Sequence, residues 1–205
     1  GFGGMLAHHL LVAGDNENAA QYILRTARDA VRAFANRDAF DAFVVLAEVA
    51  RDVLAQHPDS SEGHEHLVAG LVGQAEVGLR VGELEACVAV SEEAATVAAS
   101  SGQDEMLVRA LIARGDGLGQ LGRYDEARHA LDEATRLAQA NPRLVGKAAV
   151  AAAVIAMMAV RQQRYDHAET LAGEVLDSID VTGDDLDQLL SAGRLRVIVG
   201  HARSR

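Results

Sequence analysis

Four groups of residues carry side chains that could do chemistry. His57, Asp59, Glu62, His64, Glu65 and His66 crowd one short stretch, and imidazole with carboxylate is a good zinc set. Their spacing matches no metal motif. On a helix His64 and His66 would point to different faces, so a solvated polar loop accounts for the stretch. Gly117-Leu118-Gly119-Gln120-Leu121-Gly122 has the G-x-G-x-x-G spacing. That motif cradles a pyrophosphate when a strand precedes it and a helix opens at it. Here it closes a helical pattern and enters a turn, which predicts packing rather than a cofactor. Arg114-Gly115-Asp116, an adhesion-like tripeptide, falls inside the same helix. Cys87 is the single cysteine; with no His-Asp pattern beside it, a buried and inert thiol is expected. The many carboxylates sit beside arginines, as Asp125 and Glu126 do near Arg128, and read as solvated surface pairs. No catalytic residue, metal site or cofactor is therefore expected, and the chain is not expected to be an enzyme.

What must position any binding residues is a helical framework. The chain has 205 residues, 49% apolar and only 3% aromatic, with no Trp and two prolines. Ala and Leu dominate, both strong helix formers, and a β-sandwich or barrel of this size would carry more aromatic and β-branched residues. The formal charge of −11 argues against nucleic-acid contact by this segment and against anionic membrane surfaces. A lone cysteine fits a reducing compartment. The start, Gly1-Phe2-Gly3-Gly4, lacks the basic and apolar regions of a signal peptide; it could be a cloning remnant. A cytoplasmic location is the resulting expectation. The longest apolar run, Ala148–Val160, is too short to span a bilayer and predicts a buried helix.

Apolar residues recur at helical spacing along nearly the whole chain. Helices are predicted at about 4–13, 16–34, 38–56, 64–80, 84–99, 104–121, 124–140, 143–162, 165–178 and 184–202. Asn36 breaks one helix, His57-Pro58 stops another, and Asp59–Gly63 is the longest polar break. No stretch reads as a linker, so residues 1–205 form one domain.

These helices pair. Gly122-Arg123-Tyr124-Asp125-Glu126-Ala127, with Leu131 and Ala134 following, resembles the turn and second helix of a tetratricopeptide repeat; Leu111, Gly115 and Leu118 supply its first helix. The frame fits again at Arg164-Tyr165-Asp166-His167-Ala168 and at Gly82-Glu83-Leu84-Glu85-Ala86-Cys87. The matched positions Cys87, Ala127 and Ala168 are 40 and 41 residues apart. Small residues there let two helices approach closely, and stacked hairpins bury a continuous core. The period exceeds the usual ~34, so longer helices are expected. The hairpin at about 16–56 does not fall cleanly into this frame. The fold class implied is all-α, tandem antiparallel helix hairpins in a tetratricopeptide-like solenoid.

Near the N-terminus the residues take a more particular form. His8-His9-Leu10-Leu11-x-Ala13-Gly14-Asp15, then Ala19-Ala20-x-Tyr22-x-Leu24, Ala27, Ala30 and Phe34-Ala35-x-Arg37-Asp38-Ala39 resemble the helical region after the ATPase module in large bacterial signal-transduction ATPases. That group includes LuxR-type regulators resembling the maltose-regulon activator, and similarly built adenylate cyclases. The resemblance implies that these repeats bind inducers or partner proteins and restrain an ATPase, in transcription regulation or signal transduction. The family's Walker motif and helix-turn-helix are absent here, so neither ATP hydrolysis nor DNA binding is placed on this chain. The apolar segment from Asp184 to about Arg203 reads as the first helix of a hairpin without its partner. The expectation is a piece of a longer protein, or ends covered by another subunit, with self-association through helix 184–202.

Helical projection assigns a concave ligand or partner groove. Val72, Glu76 and Arg80 line it on one helix, Arg109, Ile112, Asp116 and Gln120 on the next, and Val150, Val154, Met157 and Arg161 on the third. Apolar floor and scattered charge suit a protein partner, another domain of the parent chain, or a small-molecule effector held against Met157. The groove lacks the Lys/Asn clamp of chaperone-binding tetratricopeptide domains. A stand-alone adaptor gripping a peptide or helix is the alternative reading.

Overall fold

The computed structural model describes residues 9–178, together with 193, 195–197, 199 and 200. Among the described residues it is all helix and turn. After a helical stretch at 9–12 come α1 (Asn16–Arg32), α2 (Asn36–Gln56), α3 (Ser61–Val81), α4 (Leu84–Ser100), α5 (Asp104–Gln120), α6 (Tyr124–Ala140), a 3-10 turn (Pro142–Leu144), α7 (Val145–Arg161) and α8 (Tyr165–Ser178). The chain divides into two compact units, one through Met106 and one from Leu107. Half of the predicted helix 4–13 lies outside the described residues, as does most of 184–202.

One turn recurs along the chain. Its central residue has a left-handed backbone at Gly14, Phe34, Gly82, Gly102, Gly122 and Gln163, with φ between 56° and 84°. The next residue's N–H reaches back to the last helical turn: Asp15 to Leu10 O, Ala35 to Ala30 O, Glu83 to Gly78 O, Gln103 to Ala98 O, Arg123 to Leu118 O and Arg164 to Ala159 O, all at 2.9–3.0 Å. This closure satisfies carbonyls that the helix end leaves open. Five residues after the central residue comes a small buried side chain in five of the six turns: Ala19, Ala39, Cys87, Ala127 and Ala168 are each at most 1% exposed.

The first hairpin shares this turn, although Ala39 and Cys87 are 48 residues apart rather than the 40 and 41 of the later matches. Its turn is hidden in the sequence because Phe34 stands where four of the other turns have glycine. Asn36 does not end a helix but begins α2. The polar break is also shorter than expected, because α3 begins at Ser61. Ser60 caps it, its Oγ accepting from the Gly63 N–H at 3.0 Å, and a serine N-cap satisfies an otherwise orphan donor.

Phe34 is costly where it stands. Its φ is 56°, its side chain is 84% exposed, and a left-handed L-residue costs about 1–2 kcal/mol. Glycine relieves this strain but loses about 0.5–1 kcal/mol of chain entropy. Phe34→Gly is expected to stabilise the protein by about 0.5–1 kcal/mol, read as a raised urea midpoint at unchanged slope. A lowered midpoint would mean that the ring contributes packing.

Each unit has its own core. In the first, Ala20, Ile23 and Ala27 of α1 meet Phe40, Phe43 and Leu46 of α2 and Val77 of α3. Gly70 and Gly73 let α3 come so close to α2 that an added Cβ would lie 2.9 Å from the Ala47 nitrogen and 2.4 Å from the Phe43 ring, respectively. In the second, Ala149, Ala153, Ala156 and Ala159 of α7 pack with Ala168 and Ala172 of α8 and with Leu195.

The α7 segment is a core helix, as its run of apolar residues predicts. Counting the 3-10 turn, Pro142–Arg161 is long and apolar enough to cross a membrane by length and composition, but over half of it is buried inside the protein. Such burial is the mark of an interior helix. Its buried methionine is Met158, 5% exposed, which packs against Gly119 of α5.

Candidate binding face

The turn frame fixes which residues of α5 and α7 lie side by side. The Gly119–Met158 contact brings the last two turns of both helices together. Next to it Asp116 Oδ1 accepts a 3.1 Å bond from Gln120 Nε2 and lies 3.8 Å from Arg161 Nη1. The Asp116 and Arg161 side chains are 26% and 33% exposed. Three of the predicted groove residues thus form one polar cluster at the helix C-termini.

The others divide by burial. Met157 and Val150, on the same α7 stripe as Arg161, are half-buried. Met157 packs partly on the alanine and Leu195 cluster and keeps the rest of its surface outward. Arg109, two turns before Asp116, is half-buried, and Gln120 is exposed. Val154 and Ile112 are 6% and 9% exposed, so they form the floor beneath the face and are not open to a partner. In the first unit Val72 is fully buried, while Glu76 is half-buried and Arg80 is exposed.

Several of the residues whose types could do chemistry hold structural positions. Gly122 makes the α5–α6 turn, and Gly119 admits Met158. Both lie at the C-terminal end of a helix, where the dipole repels an anion. Gly115, the middle of the Arg-Gly-Asp tripeptide, is buried against Leu131. Cys87 is buried and forms no disulfide. His64 holds Nδ1 2.9 Å from the Ser60 carbonyl, as part of the α3 cap. Among the described residues no three His, Cys, Asp or Glu side chains converge as a metal site would need.

The fold alters the protonation of His66. Half-buried on α3, it is pushed below its ordinary value of 6.5 chiefly by desolvation, with Arg28 adding to this and Glu62, Glu65 and Glu17 opposing it. The unfolded chain then takes the proton first as pH falls through about 6.5. Stability is full above that value and declines as pH falls from there to the folded-state value. His66→Gln is expected to lose less stability than the wild type between pH 7.5 and 5.5, by urea titration. Equal losses would show that burial of His66 does not set this response.

No family model matches the chain, and no curated protein matches it. Solved structures do. BtubC (BKLC) from P. vanneervenii superposes with a TM-score of 0.63 at 15% identity, over 98% of this chain and 84% of that one. TTC0263, a thermophilic TPR protein in Thermus thermophilus, superposes with a TM-score of 0.51 at 19% identity, over 98% and 97%. At such identities the likeness concerns the fold, and with the hairpin frame it places this chain among the all-α solenoids built of tetratricopeptide-like helix hairpins.

Proposed function

We propose that this chain is a non-catalytic interaction module, the sensing or coupling arm of a larger bacterial signalling ATPase or LuxR-type regulator. The observation that carries the interaction reading is the α5–α7 face. A tetratricopeptide-like hairpin array presents its first helices to partners, and here those helices offer half-buried Met157 and Val150 beside the Asp116–Arg161–Gln120 cluster. Buried alanines and valines beneath make this platform rigid, which lowers the ordering cost of binding. The regulator reading is supported by the resemblance over residues 8–39. The non-catalytic reading is supported by the structural duties of Cys87, His64 and the Gly117–Gly122 segment. A cytoplasmic location follows from the regulator reading.

Met157→Glu tests the face. The natural full-length protein and its variant would be used to capture partners from the source cells, with quantitation of each partner and a thermal melt of each protein. The expected result is about a tenfold loss of the partner with a melting shift of only a few degrees. Parallel loss of partner and stability would assign Met157 to the core instead.

A further inference from the structure

The net charge of −11 is unevenly distributed in the second unit. Helix α6 carries four carboxylates against two arginines, and α8 carries four carboxylates with no Lys or Arg. The α5–α7 stripe differs, with Arg109, Lys147 and Arg161 against Glu105 and Asp116. An acidic protein thus presents a weakly cationic stripe here, whose cations at the α7 end lie beside the half-buried apolar surface of Met157 and Val150.

Arg161 is the best-placed group on it. Its ion pair with Asp116 is long, 3.8 Å, and the same carboxylate oxygen already accepts from Gln120 at 3.1 Å. A guanidinium has five N–H donors in a planar fork, and one loose contact leaves that fork poorly used. A partner carboxylate could take it bidentately, a stronger arrangement than the present one. Arg109 and Lys147 have interactions of their own and add to the field rather than forming the clamp.

Repulsion from the rest of the chain does not cancel this. Packed helix axes are about 8–10 Å apart, and the α6 and α8 carboxylates extend from the second row of helices. The screening length at physiological salt is about 8 Å. A ligand lying on α5 and α7 therefore feels the nearby cations more strongly than the distant acids.

We infer that the α5–α7 face takes an acidic segment of a partner protein, with carboxylates on Arg161 and its neighbouring cations and an apolar side chain on Met157. This rests on the interaction reading above and adds the partner's chemistry. Lys147 and Arg161 are fourteen residues apart on one helix, about 21 Å at the helical rise, which an extended segment of about six or seven residues spans.

The test uses the whole chain and two short fluorescein-labelled peptides. One contains Asp, Glu and two leucines; its twin has Lys at every acidic position. Fluorescence anisotropy should show the acidic peptide binding more tightly than the twin, with affinity falling as salt rises. Arg161→Glu should weaken it about tenfold or more, Arg161→Gln less, and Asp116→Asn should strengthen it, since it removes the competing carboxylate. Glu174→Lys, on α8, should change it less than about twofold. Circular dichroism melts would verify that each variant is folded. Tighter binding of the lysine peptide, binding of neither, or indifference to Arg161→Glu would each overturn the inference. A win for the lysine peptide would do so while leaving the interaction reading intact, which the Met157 capture experiment tests separately.

Discussion

Leu131→Ala should destabilise the second unit by about 3–4 kcal/mol, in the range of large-to-small core substitutions that leave a cavity. Leu131 is fully buried, and what it packs on is Gly115 of α5, where a Cβ would lie 2.5 Å from the leucine Cγ. Glycine offers no side chain to move into the hole, so collapse is limited. The companion variant gives a sign reversal. Gly115→Ala alone should destabilise, because it overpacks against Leu131. In the Leu131→Ala background the same change should stabilise by about 1 kcal/mol or more, filling the cavity and raising helix propensity. Urea denaturation of the four proteins measures this. Additive effects would show that the two residues do not share a packing site.

Gly73→Leu should cost the first unit about 2–3 kcal/mol. Even the first added atom would sit 2.4 Å from the Phe43 ring, and Phe43 is held in a core with Phe40 and Leu46. About 1 kcal/mol of helix propensity gained on leaving glycine offsets only part of this. Adding Phe43→Ala should recover some of the loss, because it removes the clashing ring. A Gly73→Leu protein as stable as the wild type would mean that α2 and α3 can separate cheaply. Gly70 is the harsher site, because there the obstacle is the Ala47 backbone, which no rotamer can relieve.

The helices were legible because the hydrophobic period, not any single residue, defines them. Predicted bounds at 84–99, 124–140 and 165–178 meet α4, α6 and α8 closely. Where reading by residue type failed, a local rule had been overridden. Phe34 takes a conformation that its side chain disfavours, so no glycine marked the turn. Ser60 converts a polar run into a capped helix start, a role that Ser60-Ser61-Glu62-Gly63 suggests only once the cap is sought.

The groove was legible in part. Asp116, Gln120 and Arg161 do come together, because positions equivalent in the hairpin frame sit side by side on α5 and α7. Ile112 and Val154 belong to the floor of the α5–α7 face, and Val72, in the first unit, is buried in its own core. Helical projection gives a residue's direction but not how deep a neighbouring helix sinks, and here Gly119 and the alanines of α7 allow a close approach. The net charge concealed the cationic stripe for the same reason: its sign depends on which helices face a partner.

The central claim, an interaction arm serving a larger regulator, is tested most directly by the open reading frame around these residues. The account predicts a nucleotide-binding module encoded upstream, with a helix-turn-helix or cyclase elsewhere in the same chain. A frame encoding only these hairpins would contradict it and leave a stand-alone adaptor.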